Sequence, residues 1–502
     1  MSSHDRQSEP TGFLRITKFF IDDEWLLQGF WFNLLTTLGC VHSMVFGAFH
    51  MSFYMARGLT ALEVAAVHSF FSIWNPLNDI VAGFLVDEWV ARGFGSRLRL
   101  SLWAHLGYAA TTFVAFQEMS MPIWLQYATA ITCSDGFAAV ATAVNGLILI
   151  EQTKEDRQRI QIQRLNSIFG CLEWVVMSLA YWLWDSRPGY CGVFRFYLFL
   201  VCCLSAATTL LAVRQLHQPS KPRRERRSMR ERLRHFFPVA LKHHNFWRYA
   251  SLTAALDAEG VFFRQFDVVL VQLLLSSWRT AAKILLVIGD PFCGALSFAL
   301  TWIAERPDMG IYRVSLAALR ARMLVSIIAC CVVSTLKFFD ASDSFYLNAE
   351  ISFLLCLLMT TCRAATRPAT SLGGIVFASV IQEHLLVADE MSHNTSTGPL
   401  HDDDAGKYWM LRAALVKPLN SLGPVIGSAV LAAGGYTPHK EGPEDASIQV
   451  ASTLWWTCAW LPAVVSLIIS GVALRSWKNF TLHGARLEQL ARLDRKSEGQ
   501  VL

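Results

Sequence analysis

The sequence predicts an all-α polytopic membrane protein, with twelve transmembrane helices arranged as two six-helix pseudo-repeats. Three observations predict it. The chain is too apolar for a soluble protein: 53% of its 502 residues are hydrophobic and 17% are charged, where a soluble chain is about a quarter charged. Twelve apolar segments recur along it, each long enough to supply the ~20 residues that cross a bilayer as a helix. One long basic stretch, 214–246, parts those segments six and six.

The elements follow in order. Residues 1–26 are polar and lack an apolar run followed by a small-residue cleavage site, so they are expected to remain as a cytosolic N-terminal segment. The N-terminal bundle, 27–213, holds apolar segments at 27–55, 61–88, 98–118, 121–150, 164–184 and 191–213. The basic linker 214–246 follows. The C-terminal bundle, 247–474, holds segments at 247–275, 280–304, 314–338, 346–383, 408–434 and 450–474. The longer ones leave room for tilt. Segment seven contains Asp257, Glu259, Arg264 and Asp267, and segment ten contains Arg363, Arg367 and Pro368. A hydrophilic acidic insert occupies 388–407, and 475–502 forms a basic tail.

Charge sets the orientation. Arg92, Arg97, Arg99, Lys154, Arg157, Arg159, Arg164, Arg306, Arg313, the linker and the tail fall on one side; Arg57, Arg187, Arg279 and Lys440 fall on the other. The positive-inside rule then places both termini and the linker in the cytosol. The sequons at Asn394 and Asn479 are expected to stay unglycosylated there. Whether the chain sits in the plasma membrane or an endomembrane is open. The linker run "KPRRERRSMRERLR" has the composition of a nucleic-acid or localisation patch. Held between two spans, it is read instead as a contact for anionic lipid headgroups, with no nucleic-acid partner.

The twelve cysteines lie mostly in apolar runs, and neither a C-x-x-C pair nor a Cys/His cluster with zinc spacing occurs. They are read as packing residues, and neither metal nor cofactor is expected. No G-x-S-x-G, H-E-x-x-H or nucleotide-binding loop is present, so no enzyme is expected. The chain is expected to be a monomer.

The polar groups inside the apolar segments carry the functional signal. A charge at mid-membrane costs about 2.5–3.5 kcal/mol on insertion scales, so it survives where it faces a bundle interior, a wet cavity or a partner. In "WNPLNDIVAGFLVDEW" (74–89), Asn75 and Asp79 are four apart and share one helix face, which Gly83 continues. Pro76 frees a carbonyl in the turn before it. An acid, an amide and a loosened carbonyl suit a hard cation or a proton; a structural hydrogen bond or ion pair between helices is the other reading. Asp135, Asp257, Arg264, Asp290, Arg363 and Lys417 are the further intramembrane charges. Spread over both halves, they favour a polar central cavity over scattered ion pairs. The halves also echo each other, Asp79-x-x-x-Gly83 in segment two against Asp290-x-x-x-Gly294 in segment eight. Parallel six-span repeats with a site at their interface are a transporter architecture.

Two stretches carry a family resemblance. "WNPLNDIVAGFLVD" resembles the second-helix signature W-D-x-x-N-D-P-x-x-G-x-x-x-D of the melibiose-type glycoside–cation symporters, within the major facilitator superfamily. Its Gly83-to-Asp87 portion resembles the superfamily loop motif G-x-L-x-D. "EDRQRIQIQRLNSIFG" (155–170) resembles the family's start of helix five. The resemblance implies the major facilitator fold and alternating access for a small polar solute, sugar-like or related, with H+ or Na+ coupling. It implies roles by position: Asp79 as the second acid of a cation site with Asn75 and Lys417 beside it, Asp135 and Arg164 at the substrate cavity, and Gly83 and Asp87 as a conformational latch. The sequence departs from the pattern at Asn75, where the family has an acid, at Ile80, where it has proline, and at Glu88, where the loop motif has a basic residue. Helix one offers His42 in place of the family's sugar-binding acid. These departures keep a second expectation open, a non-transporting receptor or scaffold on the same fold.

Overall fold

The computed structural model describes residues 26–153, 156–184, 191–216, 238–274, 279–306, 309–339, 350–362, most of 373–383, 405–434 and 452–480. The first span, α1, is Leu27–Ala56, interrupted by a 3-10 turn at Leu38–Cys40. There follow α2 (Ala61–Ala91), α3 (Arg97–Ala115), α4 (Ile123–Gln152), α5 (Asp156–Leu183) and α6 (Cys191–Gln215). The second set is α7 (His244–Leu274), α8 (Arg279–Ala304), α9 (Gly310–Phe339), α10 (Glu350–Cys362), α11 (Ala405–Ala433) and α12 (Ser452–Lys478). These helices fall on the predicted segments. The linker core, Arg363 and the acidic insert lie outside the described residues.

Local chemistry sets the helix ends. Thr60 caps α2 in a reciprocal box with Glu63: its hydroxyl accepts from the Glu63 amide at 3.2 Å, and the Glu63 carboxylate accepts from the Thr60 amide at 2.8 Å. Ser96 caps α3 one way, its hydroxyl accepting from the Arg99 amide at 3.2 Å. The α1–α2 turn passes through Gly58 at φ 105°, a left-handed geometry that glycine adopts without a Cβ penalty.

Seven of the described helices are long and apolar enough to cross a membrane: α1, α4, α6, α8, α9, α11 and α12. Helices α2, α3, α5 and α7 are long but more polar: α2, α5 and α7 carry buried charges, and α3 opens with Arg97 and Arg99 and carries buried Ser101, His105 and Thr112. The outer surface is the reverse of a soluble protein's. Trp103 is 55% exposed and Phe196 63%, within a belt of exposed apolar side chains suited to lipid.

Helices α1–α6 pack on one another, as do α7–α12, and the two sets meet along two main seams. The more extensive is α2 with α11; the other is α5 with α8. Advancing each helix by six positions turns one seam into the other, as two superposable six-helix halves require. Between the seams α1 packs on α7. For reference, the linker end holds the start of α1 and the end of α6; the far end holds the α1–α2 turn. At the far end, Val45 and Phe49 of α1 share one core with Phe262 and Phe266 of α7 and Trp455 of α12. At the linker end, Ile160 of α5 packs with Ala304 of α8, Val314 of α9 and Ile375. The halves therefore touch at both ends.

Candidate functional site

The site forms where α2, α4 and α11 converge between the halves. Pro76 lies inside α2 without breaking it. One turn on, α2 presents Asn78 and Asp79 toward α4 and α11. Lys417 stands just before Pro418 on α11 and reaches across the seam. Its Nζ lies 3.4 Å from Asp79 Oδ2 and 3.3 Å from Asp135 Oδ1. Asn78 Nδ2 donates to the other Asp135 oxygen at 2.9 Å. One cation from the second half thus bridges two carboxylates from the first. Asp79 is 8% exposed and Asn75 4%, while the Lys417 side chain keeps 27%. The Asn75 Oδ1 acceptor is buried with no hydrogen-bond partner among the described residues.

This arrangement holds charge at mid-span because each charge has a partner. It also ties the halves together. At an effective dielectric of about 20, each Lys–Asp contact is worth roughly 4 kcal/mol of gross attraction before desolvation is counted. Separating α2 and α4 from α11 must break both contacts or replace them. A solute, a proton or a cation would each serve as the replacement.

The other predicted residues distribute around this centre. Asp257 on α7 pairs with Arg412 on α11 at 2.7 Å, a contact within the second half. The Arg264 stem on α7 packs against Gly47 of α1, where a Cβ would strike it. Arg164 stands apart from Asp135: it pairs with Glu305, beyond the end of α8, and joins the halves at the linker end. Gly83 lies against the Met410 side chain of α11, so its missing Cβ permits the close α2–α11 approach. Asp87 and Asp290 sit on α2 and α8, but their side chains lie outside the described residues, as does Arg363. His42 Nδ1 lies 2.9 Å from Ser205 Oγ and the ring packs edge-on to Tyr108, a packed core histidine whose Nε2 is buried with no hydrogen-bond partner among the described residues.

Several polar contacts escape a reading of the sequence. Glu259 of α7 and Arg322 of α9 form an ion pair at 0–1% exposure, with Ser466 of α12 donating to the same carboxylate. The legible signal is a pair of arginines, Arg320 and Arg322, inside the apolar run 314–338. His105 and Ser101 of α3 both contact Asn145 of α4, at 3.1 and 3.0 Å. Asn245 donates to both oxygens of Glu383 at the linker end of the second half.

Comparison with known proteins agrees with this architecture. No family model matches the chain. It is 19% identical to chicken (Gallus gallus) transmembrane protein 180 over 465 residues, covering 84% of this chain and 85% of that protein. The crystal structure of a D-xylose–proton symporter superposes with a TM-score of 0.55 at 12% identity, over 90% of this chain and 96% of that one. The nucleoside transporter NupG superposes with a TM-score of 0.51 at 14% identity, over 90% of this chain and 100% of that one. The chain is an all-α, multi-pass membrane protein with the fold of the major facilitator transporters.

Proposed function

We propose that the protein is a secondary active transporter, not an enzyme, that moves a small polar solute by rocking its two six-helix halves about the α2–α11 and α5–α8 seams. The observation that carries this reading is the bridge of Lys417 from the second half to Asp79 and Asp135 of the first. A contact that both spans the halves and lies among buried acids links solute or ion binding to their separation. Asp79 is the coupling carboxylate, with H+ favoured over Na+ because Asn75 supplies an amide where a sodium site would want a second acid. Asp135 belongs to the solute side of the cluster. Arg164 with Glu305, and Gly83 against Met410, close the linker end. Both termini and the basic linker face the cytosol, where the linker meets anionic lipid.

The test is uptake into sealed proteoliposomes under an imposed proton or sodium gradient, with sugars and nucleosides as probes. Wild type is compared with Asp79→Asn after both are shown to be folded. Gradient-driven uptake lost in the variant supports coupled transport through Asp79. Uptake that ignores the gradient in both proteins removes the coupling role. The second reading is a receptor or scaffold that does not transport. It draws on Asn75 in place of an acid, and it predicts solute binding without accumulation.

A further inference from the structure

The α5–α8 seam carries three polar ties between the halves, and the middle one begins with a proline. Pro291 lies inside α8. Proline has no N–H, so the Val287 carbonyl, four residues back, loses its helical donor. Trp174 of α5, in the other half, supplies one: its indole N–H donates to the Val287 carbonyl at 2.6 Å. Val287 and Val176 pack against the apolar core that the halves share. In such a setting a backbone carbonyl left unpaired costs more than the net worth of the bond it loses.

The other two ties close the ends of the same seam. At the linker end Arg164 of α5 pairs with Glu305. At the far end the Lys283 ammonium of α8 donates to the Trp182 carbonyl, in the last turn of α5, at 3.1 Å. Carbonyls in a last turn lack donors within the helix and carry the negative end of its dipole, so a lysine from the opposite half suits them. Along α5, at 1.5 Å per residue, Trp174 stands about 15 Å from Arg164 and about 12 Å from Trp182. The three ties differ in kind. Glu305 keeps 26% of its side chain exposed and the Lys283 contact is at the surface, so water can replace a partner at either end. The middle tie joins a rigid ring to backbone inside an apolar layer, where breaking it strands the carbonyl.

We infer that Trp174 is the pivot of this seam, its bond to the Val287 carbonyl staying made while the linker-end and far-end ties part in turn. The inference rests on the proposed rocking of the halves. Trp174 is a positioning residue: it acts on the seam and not on the solute.

Two measurements test it, and the first does not depend on transport. A double-mutant cycle combines Trp174→Phe, which keeps an aromatic ring and drops the N–H, with Pro291→Ala, which returns a helical donor to Val287. In reversible unfolding from mixed micelles, Trp174→Phe alone is expected to lower the folding equilibrium constant about ten-fold, for a buried bond lost with its acceptor left unpaired. In the Pro291→Ala background the loss is expected to be several-fold smaller, because the carbonyl then has a donor in its own helix. An equal loss in both backgrounds overturns the pairing. The second measurement reads distances by pulsed spin resonance in nanodiscs, with one label pair across α5 and α8 at each end of the seam and Lys283→Gln releasing the far end. With Trp174 present, the far-end distance is expected to lengthen while the linker-end distance stays narrow; with Trp174→Phe added, both are expected to broaden. A linker-end distance that stays narrow without Trp174 overturns the pivot role, whatever the cycle gives. Distances fixed at both ends in every variant overturn the rocking itself and the pivot with it, and leave the hydrogen bond to be judged by the cycle.

Discussion

Replacing Lys417 with Met keeps most of the side-chain stem and removes the charge that contacts both Asp79 and Asp135. The two carboxylates, 3.4 and 3.3 Å from the ammonium, would then share a buried site with no cation between them. Removing one partner of a buried pair costs about 3–5 kcal/mol, chiefly because the other charge is left uncompensated. The Lys417 side chain is 27% exposed, so water offsets part of this and the lower end, about 3 kcal/mol, is expected. Asp79→Asn in the same chain removes one of the orphaned charges. The double variant should therefore be less damaged than the sum of the singles, by about 1–3 kcal/mol for groups in contact. The assay is reversible unfolding in mixed micelles of wild type, both singles and the double. The cycle is repeated with Asp135→Asn, which should couple to Lys417 to a similar extent. Additivity within about 0.5 kcal/mol in both cycles would refute the bridge between the halves, and with it the argument that separating them must break these contacts.

Three further outcomes follow from the geometry. Arg322→Met leaves Glu259 buried without its cation, so a loss of about 3–5 kcal/mol is expected, read as a collapse of monodisperse protein on size exclusion; Arg322→Met with Glu259→Gln should recover much of it. Gly83→Leu drives a side chain into Met410 and should weaken closure at the linker end, measured as faster labelling of a cysteine placed at Ile160, in a background lacking exposed cysteines. At the far end, Arg195 donates to Glu118 and holds its carboxyl below the ordinary value of 4.5. A depressed carboxylate pKa adds stability above the ordinary value and loses it as pH falls through the lowered one. Thermal unfolding of wild type and Arg195→Gln should therefore differ slightly at neutral pH and converge in acid; the exposure of Glu118 makes the difference small and sensitive to salt.

The helices were largely legible in the sequence because a membrane span announces itself by length and apolarity. The charge cluster was legible in part. Asp79, Asp135 and Lys417 each stood out as a charge in an apolar run, and the structure brings these three together. Their mutual contact was not legible, since residues on α2, α4 and α11 are far apart in the chain and a lone sequence gives no distance between them. Arg164 shows the limit most clearly. Its position suggested the cavity, while its partner Glu305 lies in a short connection that carried no signal. Arg322 was missed for the opposite reason: the apolar residues of the segment outweigh Arg320 and Arg322 in any average over it. Asp257 and Arg264 share one face of α7 but stand two helical turns apart, too far to pair, and the structure gives Asp257 a partner on a neighbouring helix, Arg412 of α11.

The buried pair between α7 and α9 has a consequence for how the chain is made. Helix α7 leaves the ribosome with Glu259 already in it, before Arg322 of α9 or Ser466 of α12 has been synthesised. Alone in the bilayer, that carboxylate would lack both of these partners, and α7 is not among the seven described helices long and apolar enough to cross a membrane. The second half is therefore expected to wait at the insertion machinery until α9 arrives, so that a truncation after α8 should yield an α7 that slips back toward water, while one after α9 should hold it in the membrane.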